Sequence, residues 1–183
     1  MWSITAHVRS LPVPPMTPFA WLLGLFLPAC GAVGAAGLPP PQVLDVAHLV
    51  RPASPNTALA APAGFRPRPD LATHPYPLPA PALLARVIAV ARAQPRTYLA
   101  ASFPAAGQAD FVARSAFWNF PDLITAAVRP DGPGHSRLIL YSRSVYGSSD
   151  FGVNRARLRI WLAALATGLP PAPKPPVPKT ASK

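Results

Sequence analysis

Apolar and polar residues change their period twice along the second half of this chain. From Pro81, residues Leu83, Leu84, Val87, Ile88 and Ala91 recur at helical spacing with Arg86 and Arg92 off the stripe, which predicts an amphipathic helix ending before Pro95. The period then falls to that of strands over 97–103, 110–118, 123–129 and 137–145. The connections PAAGQ, NFPD and PDGPGH are turn-type and too short for crossover helices, so these neighbours are expected to be antiparallel. A helical stripe of Phe151, Asn154, Leu158, Trp161, Leu162 and Leu165 then starts near Asp150 and stops at Gly168, with Pro170 behind it. The expected fold is α+β, a four-stranded, largely antiparallel sheet with two helices on one face.

Alternation also assigns the faces. In the last strand Leu138, Leu140, Ser142 and Ser144 oppose Ile139, Tyr141, Arg143 and Val145; in the second, Phe111, Ala113, Ser115 and Phe117 oppose Val112, Arg114, Ala116 and Trp118. With the Leu and Phe sides against the helices, Arg114, Trp118, Tyr141 and Arg143 are expected together on the open face. Such a basic and aromatic surface suits a carboxylate, a phosphate or a sugar ring. Ordinary strand arginines paired with Asp110 or Asp150 are the plainer alternative.

Upstream of the first helix the pattern is broken by proline. Prolines at 39, 40, 41, 52, 55, 62, 67, 69, 75, 77, 79 and 81 remove backbone donors and favour extended conformations, so 38–80 is expected to be an irregular arm wrapped on the domain, with a short helix over 43–50. The first 37 residues have the order of an export leader: Arg9, an apolar run FAWLLGLFL at 19–27, then the small residues of PACGAVGAAG. Nine apolar residues are too few to span a bilayer as a helix, which takes about 20. The core is then expected over 81–167, with a solvated Pro/Lys tail over 168–183.

Cys30 is the only cysteine, so no internal disulfide forms. Its context, Leu27-Pro28-Ala29-Cys30-Gly31, resembles the lipobox of bacterial lipoproteins, which makes Cys30 a candidate for lipidation, although Pro28 departs from that pattern. Cleavage after Gly34-Ala35-Ala36 and an uncleaved leader are the other two fates, and Met16 is an alternative start. Net charge is +11, yet the basic residues form no compact run, and export would remove a nucleic-acid partner.

The stretch Tyr141–Arg157 reads YSRSVYGSSDFGVNRAR and resembles the signature of a widespread bacterial family known as domain of unknown function 1499, whose members typically read Tyr/Ala-x-Arg-Ser-x-x-Gly-x-Ser-Asp-x-Gly-x-Asn-Arg-x-Arg. The likeness extends over about residues 38–166; it implies a fold and carries no activity. Within it, Gly147, Ser149, Asp150, Gly152, Asn154 and Arg155 form a turn at a helix start. Such a start can bind anions through its free N–H groups, but a capping Asp150 already occupies those donors, and Asn154 on the buried stripe needs partners of its own.

The turn matches neither a phosphate loop nor Gly-x-Ser-x-Gly. His7, His48, His74 and His135 are scattered and glutamate is absent from the sequence, so no metal set assembles, and nothing calls for a cofactor. The expectation is an exported envelope protein, periplasmic or lipid-anchored on a membrane surface, more a binding module than an enzyme. Its partner would be a small anionic or glycan-like ligand, or another envelope protein. The alternative is a hydrolase-like enzyme acting around Arg143, Ser144, Ser149 and Asp150.

Overall fold

The computed structural model describes residues 28–30, 32–167 and 169. The apolar run at 19–27 and the tail, apart from Leu169, lie outside them. Six strands, β1 (Thr57–Pro62), β2 (Leu71–Thr73), β3 (Thr97–Phe103), β4 (Gln108–Arg114), β5 (Pro121–Pro130) and β6 (Ser136–Ser144), accompany two helices, α1 (Ala80–Arg92) and α2 (Val153–Ala166). They form one sheet in the order β2-β1-β6-β5-β4-β3. All neighbours are antiparallel except β1 and β2.

The fold is therefore α+β with two helices, but the sheet has six strands where alternation predicts four. The extra pair comes from the proline-rich arm, and its placement explains why pattern alone missed it. The run TALAAP is buried along almost its whole length, covered on both faces, so it shows no alternation. Pro62 closes β1 at its last residue, where a missing N–H disrupts little of the ladder. Asp70 then aligns β2: its backbone N–H donates to the Leu59 carbonyl at 2.8 Å while its carboxylate accepts from the Leu59 N–H at 2.8 Å.

One face of the sheet meets both helices. Phe111, Ile124, Leu138 and Leu140 pack with Leu83, Val87, Leu158, Trp161 and Leu165, and Trp161 stands edge-on to Phe111 with centroids 5.3 Å apart. Phe151, placed on that stripe by periodicity, lies one turn too early and is exposed, because the helix starts at Val153.

The other face is not open. Residues 28–50 cross it, and Val46 and Leu49, at a short 3-10 turn (Val46–His48), pack with Leu59, Ala61, Ala127, Ile139 and Tyr141 into a second, smaller core. At the far end of β4 the chain must turn sharply onto β5, since Gly107 N–H and carbonyl groups are both engaged there. Gly107 has φ +58, and a Cβ on it would sit 2.6 Å from the Val128 carbonyl oxygen.

Candidate functional site

The signature turn is built from the end of β6. Asp150 accepts from the backbone N–H groups of Gly152 and Asn154, both at 2.9 Å, and so caps α2 from its side chain. Gly147 and Gly152 carry left-handed φ of 83° and 80°, which lets this loop turn tightly between strand and helix. Asp150 forms an ion pair with neither Arg143 nor Arg114 among the described residues.

Beneath the cap, Asn154 is fully buried and every polar atom of its side chain is used. Its Nδ2 donates to the Asn56 carbonyl at 3.1 Å and to the Ser144 hydroxyl at 3.0 Å, while its Oδ1 accepts from the Ser142 hydroxyl and from Arg157 Nη1. Arg157 continues to Asp122 with an N–O separation of 2.6 Å, both side chains buried. Helix, β6, β5 and the strand leading from Asn56 are thus tied by one satisfied network. Arg157, placed off the buried stripe by periodicity, is its charged member. A pattern Asn-x-x-Arg with an acid at the start of a strand is the signal that would have found it.

The grouping of Arg114, Trp118, Tyr141 and Arg143 on one open surface does not form. Alternation puts Arg114, Tyr141 and Arg143 on the same face, as expected, but residues 28–50 cover much of it. Tyr141 is buried in the second core, and burial pushes its hydroxyl pKa up. Trp118 is on no strand, because β4 ends at Arg114 and residues 115–120 form a loop. That loop closes when Ser115 N–H donates to the Phe120 carbonyl at 3.0 Å and Asn119 takes a left-handed φ of 58°, a conformation Asn tolerates better than most.

Arg114 is buried and grips the backbone rather than a ligand. Its guanidinium donates to the carbonyls of Gly34 at 2.8 Å, of Ala36 at 3.2 Å and of Ala29. Asn119, equally buried, donates to the carbonyls of Cys30 and Ala32, and Arg96 donates to its Oδ1. These two side chains therefore fasten residues 29–36 to the end of the sheet, with Cys30 fully buried and its thiol pKa pushed up by that burial. Gln108 fastens the next stretch: its Oε1 accepts from Leu44 N–H at 3.2 Å and its Nε2 donates to the Gln42 carbonyl at 3.4 Å.

Between these two fastenings the proline strap stands off the sheet and leaves a cleft of about 420 Å³. Leu38, Pro39, Pro40, Pro41 and Leu44 form one wall; Val112, Leu123, Thr125, Asp110 and Arg143 form the other. Arg143, alone of the four residues grouped by sequence, presents an exposed charge here. Burial raises the Asp110 carboxyl pKa above its ordinary value, against the opposing pull of Thr125, Gln108 and Arg143. The cleft thus joins apolar walls to one fixed positive charge and one carboxyl that is easily protonated.

A serine-hydrolase arrangement does not assemble from the residues considered for it. Ser144 and Ser149 lie at the end of β6 and in the loop beyond, whereas His135 and His74 sit at the other end of the sheet, beside the β5–β6 hairpin and after β2. Among the described residues, no three of His, Cys, Asp and Glu cluster as metal ligands, and no helix is long and apolar enough to cross a membrane.

A family model described as a protein of unknown function (DUF1499) matches residues 49–165, nearly two thirds of the chain. No curated protein and no solved structure matches.

Proposed function

The chain belongs to the DUF1499 family of proteins of unknown function, and we propose that this member is an exported, non-enzymatic envelope protein that binds a small amphipathic anion in the cleft beneath its proline strap. The observation that carries this reading is the juxtaposition of exposed Arg143 with Asp110 and Thr125 at the polar end of an otherwise apolar cleft. An acid group would pair with the Arg143 guanidinium, and the apolar body would lie between Pro39, Pro40, Pro41 and the Val112 and Leu123 side chains. The strap makes the pocket a slot, which favours a narrow ligand over a protein surface. A glycan is a poorer fit, since no aromatic ring lines the cleft to stack on a sugar.

Export rests on the leader order of charge, apolar run and small residues. Where Cys30 is lipidated, the lipid has to be attached before residues 29–36 dock, because the thiol is buried in the folded chain. The hydrolase alternative around Arg143, Ser144, Ser149 and Asp150 has less to draw on: Asp150 is engaged as a cap and Ser144 accepts from Asn154.

Calorimetric titration with a panel of small amphipathic carboxylates and phosphates tests the reading. Saturable binding that Arg143→Ala abolishes, with an unchanged melting temperature, is the expected result. Binding that survives Arg143→Ala, or a panel in which nothing binds, would sink it.

A further inference from the structure

We propose that the end of the molecule formed by the β4–β5 loop and the β6–α2 loop is a docking surface for a lipid bilayer. Three observations, independent of the cleft, converge there.

The first is where the leader joins the fold. Arg114 and Asn119 hold the carbonyls of Ala29, Cys30, Ala32, Gly34 and Ala36 against this end of the sheet. The apolar run that ends at Leu27 is one residue away from Pro28, where the described chain begins again. Whether the run stays attached or a lipid on Cys30 replaces it, the hydrophobic anchor leaves the domain here.

The second is an unequal distribution of apolar surface. Phe117 is 50% exposed, Trp118 43%, Phe151 97% and Val153 49%, and all four belong to these two loops or the first residue of α2. The loops touch through Phe120, which stacks on Trp118 with centroids 6.4 Å apart and meets Tyr146 at 6.2 Å. The β5–β6 hairpin at the opposite end is instead polar, with Asp131, Arg137 and His135. Aromatic rings with a polar tip are the side chains that settle at the level of lipid headgroups.

The third is charge. Arg143 and Arg155 are exposed at this end, and Asp150, the carboxylate between them in sequence, is occupied by the α2 backbone. An anionic leaflet would therefore meet uncompensated positive charge beside the aromatic rings. The need for such a second contact follows from the anchor. Nine apolar residues are too few to span, and a single acyl chain gives only marginal attachment, so stable membrane association takes a further signal.

The test uses the full chain in a Cys30→Ser background, carrying a bimane label at Phe151→Cys or, as the opposite-end control, at His135→Cys. Both positions are exposed in loops and neither lines the cleft. Each labelled chain is mixed with phosphatidylcholine and phosphatidylglycerol vesicles whose headgroups bear nitroxide. Loss of fluorescence at position 151 with none at 135 is expected. Equal loss at both ends, loss at 135 alone, or loss at neither overturns the proposal; the last is what a protein partner at this end would give. Because the readout is position and not ligand affinity, it can fail while the cleft binds its anion, or succeed while the cleft binds nothing.

Discussion

Asn154 is the residue on which helix and sheet depend together. An amide on an apolar stripe is costly unless satisfied, and here both of its polar atoms are bonded, to β6, to Arg157 and to the backbone of Asn56. Asn154→Ala leaves several buried groups without partners, and a loss of about 1–3 kcal/mol for each group left unsatisfied is expected, read as a drop in melting temperature. Arg157→Leu should cost about 3–5 kcal/mol, since it strands the buried Asp122 carboxylate. Adding Asp122→Asn to Arg157→Leu should recover part of that loss in chemical denaturation. If the double variant is less stable than Arg157→Leu alone, the pair is not coupled as described.

Asp110 works in the opposite sense. Its folded-state pKa is raised above the ordinary 3.8, so the protonated form is favoured in the fold. Its contribution is therefore gained as pH falls through the folded pKa and lost as pH rises from the unfolded value to the folded one. Asp110→Asn is expected to remove that slope from the pH dependence of stability. The same substitution should flatten the rise in affinity for an anionic ligand that protonation of Asp110 produces as pH is lowered. A ligand affinity that instead weakens on acidification would place the carboxylate outside the binding site.

At the scale of elements, the stretch 28–50 matters most, because it converts an exposed sheet face into a second core and a roofed cleft. A chain that begins at Leu38 would leave the buried Arg114 and Asn119 donors without the carbonyls they now hold. That truncation should lower the melting temperature by more than the removal of an exposed tail would, with a free-energy loss of several kcal/mol from the uncompensated guanidinium. A melting temperature equal to that of the longer chain would show that 29–36 contributes nothing to the fold. The β3–β4 turn offers a sharper local test. Gly107→Ala combines a left-handed backbone with a Cβ directed at the Val128 carbonyl oxygen, so a loss of about 1–3 kcal/mol is expected in thermal unfolding.

Across the whole molecule, the two ends of the sheet differ in kind. One end holds the leader junction, the aromatic loops and the capped start of α2; the other holds the polar β5–β6 hairpin and the β3–β4 turn. The cleft opens on the side of the sheet away from the helices, near the first of these ends through Arg143. This arrangement would present a ligand close to a membrane while the helix layer faces away from the strap. The high net positive charge then bears on association with anionic surfaces and has no part in specifying the fold.

The four strands from Thr97 to Ser144, their antiparallel pairing, both helices and the division of side chains between two faces were legible because each rests on local period and on turns too short for any other connection. The family was legible from Tyr141–Arg157 for the same reason: a dense local motif. The remaining features depend on contacts between residues far apart in the chain. Strands β1 and β2 are covered on both faces and show no period; the Arg114 and Asn119 fastenings reach back about 80 residues or more; and Tyr141 and Arg143, neighbours on one face by alternation, part company because the strap buries the first and leaves the second at the mouth of a cleft. Period assigns a side chain to a face of its strand, but only the tertiary structure decides what covers that face, since the covering segment is recruited by backbone hydrogen bonds and burial that leave no repeat in the sequence.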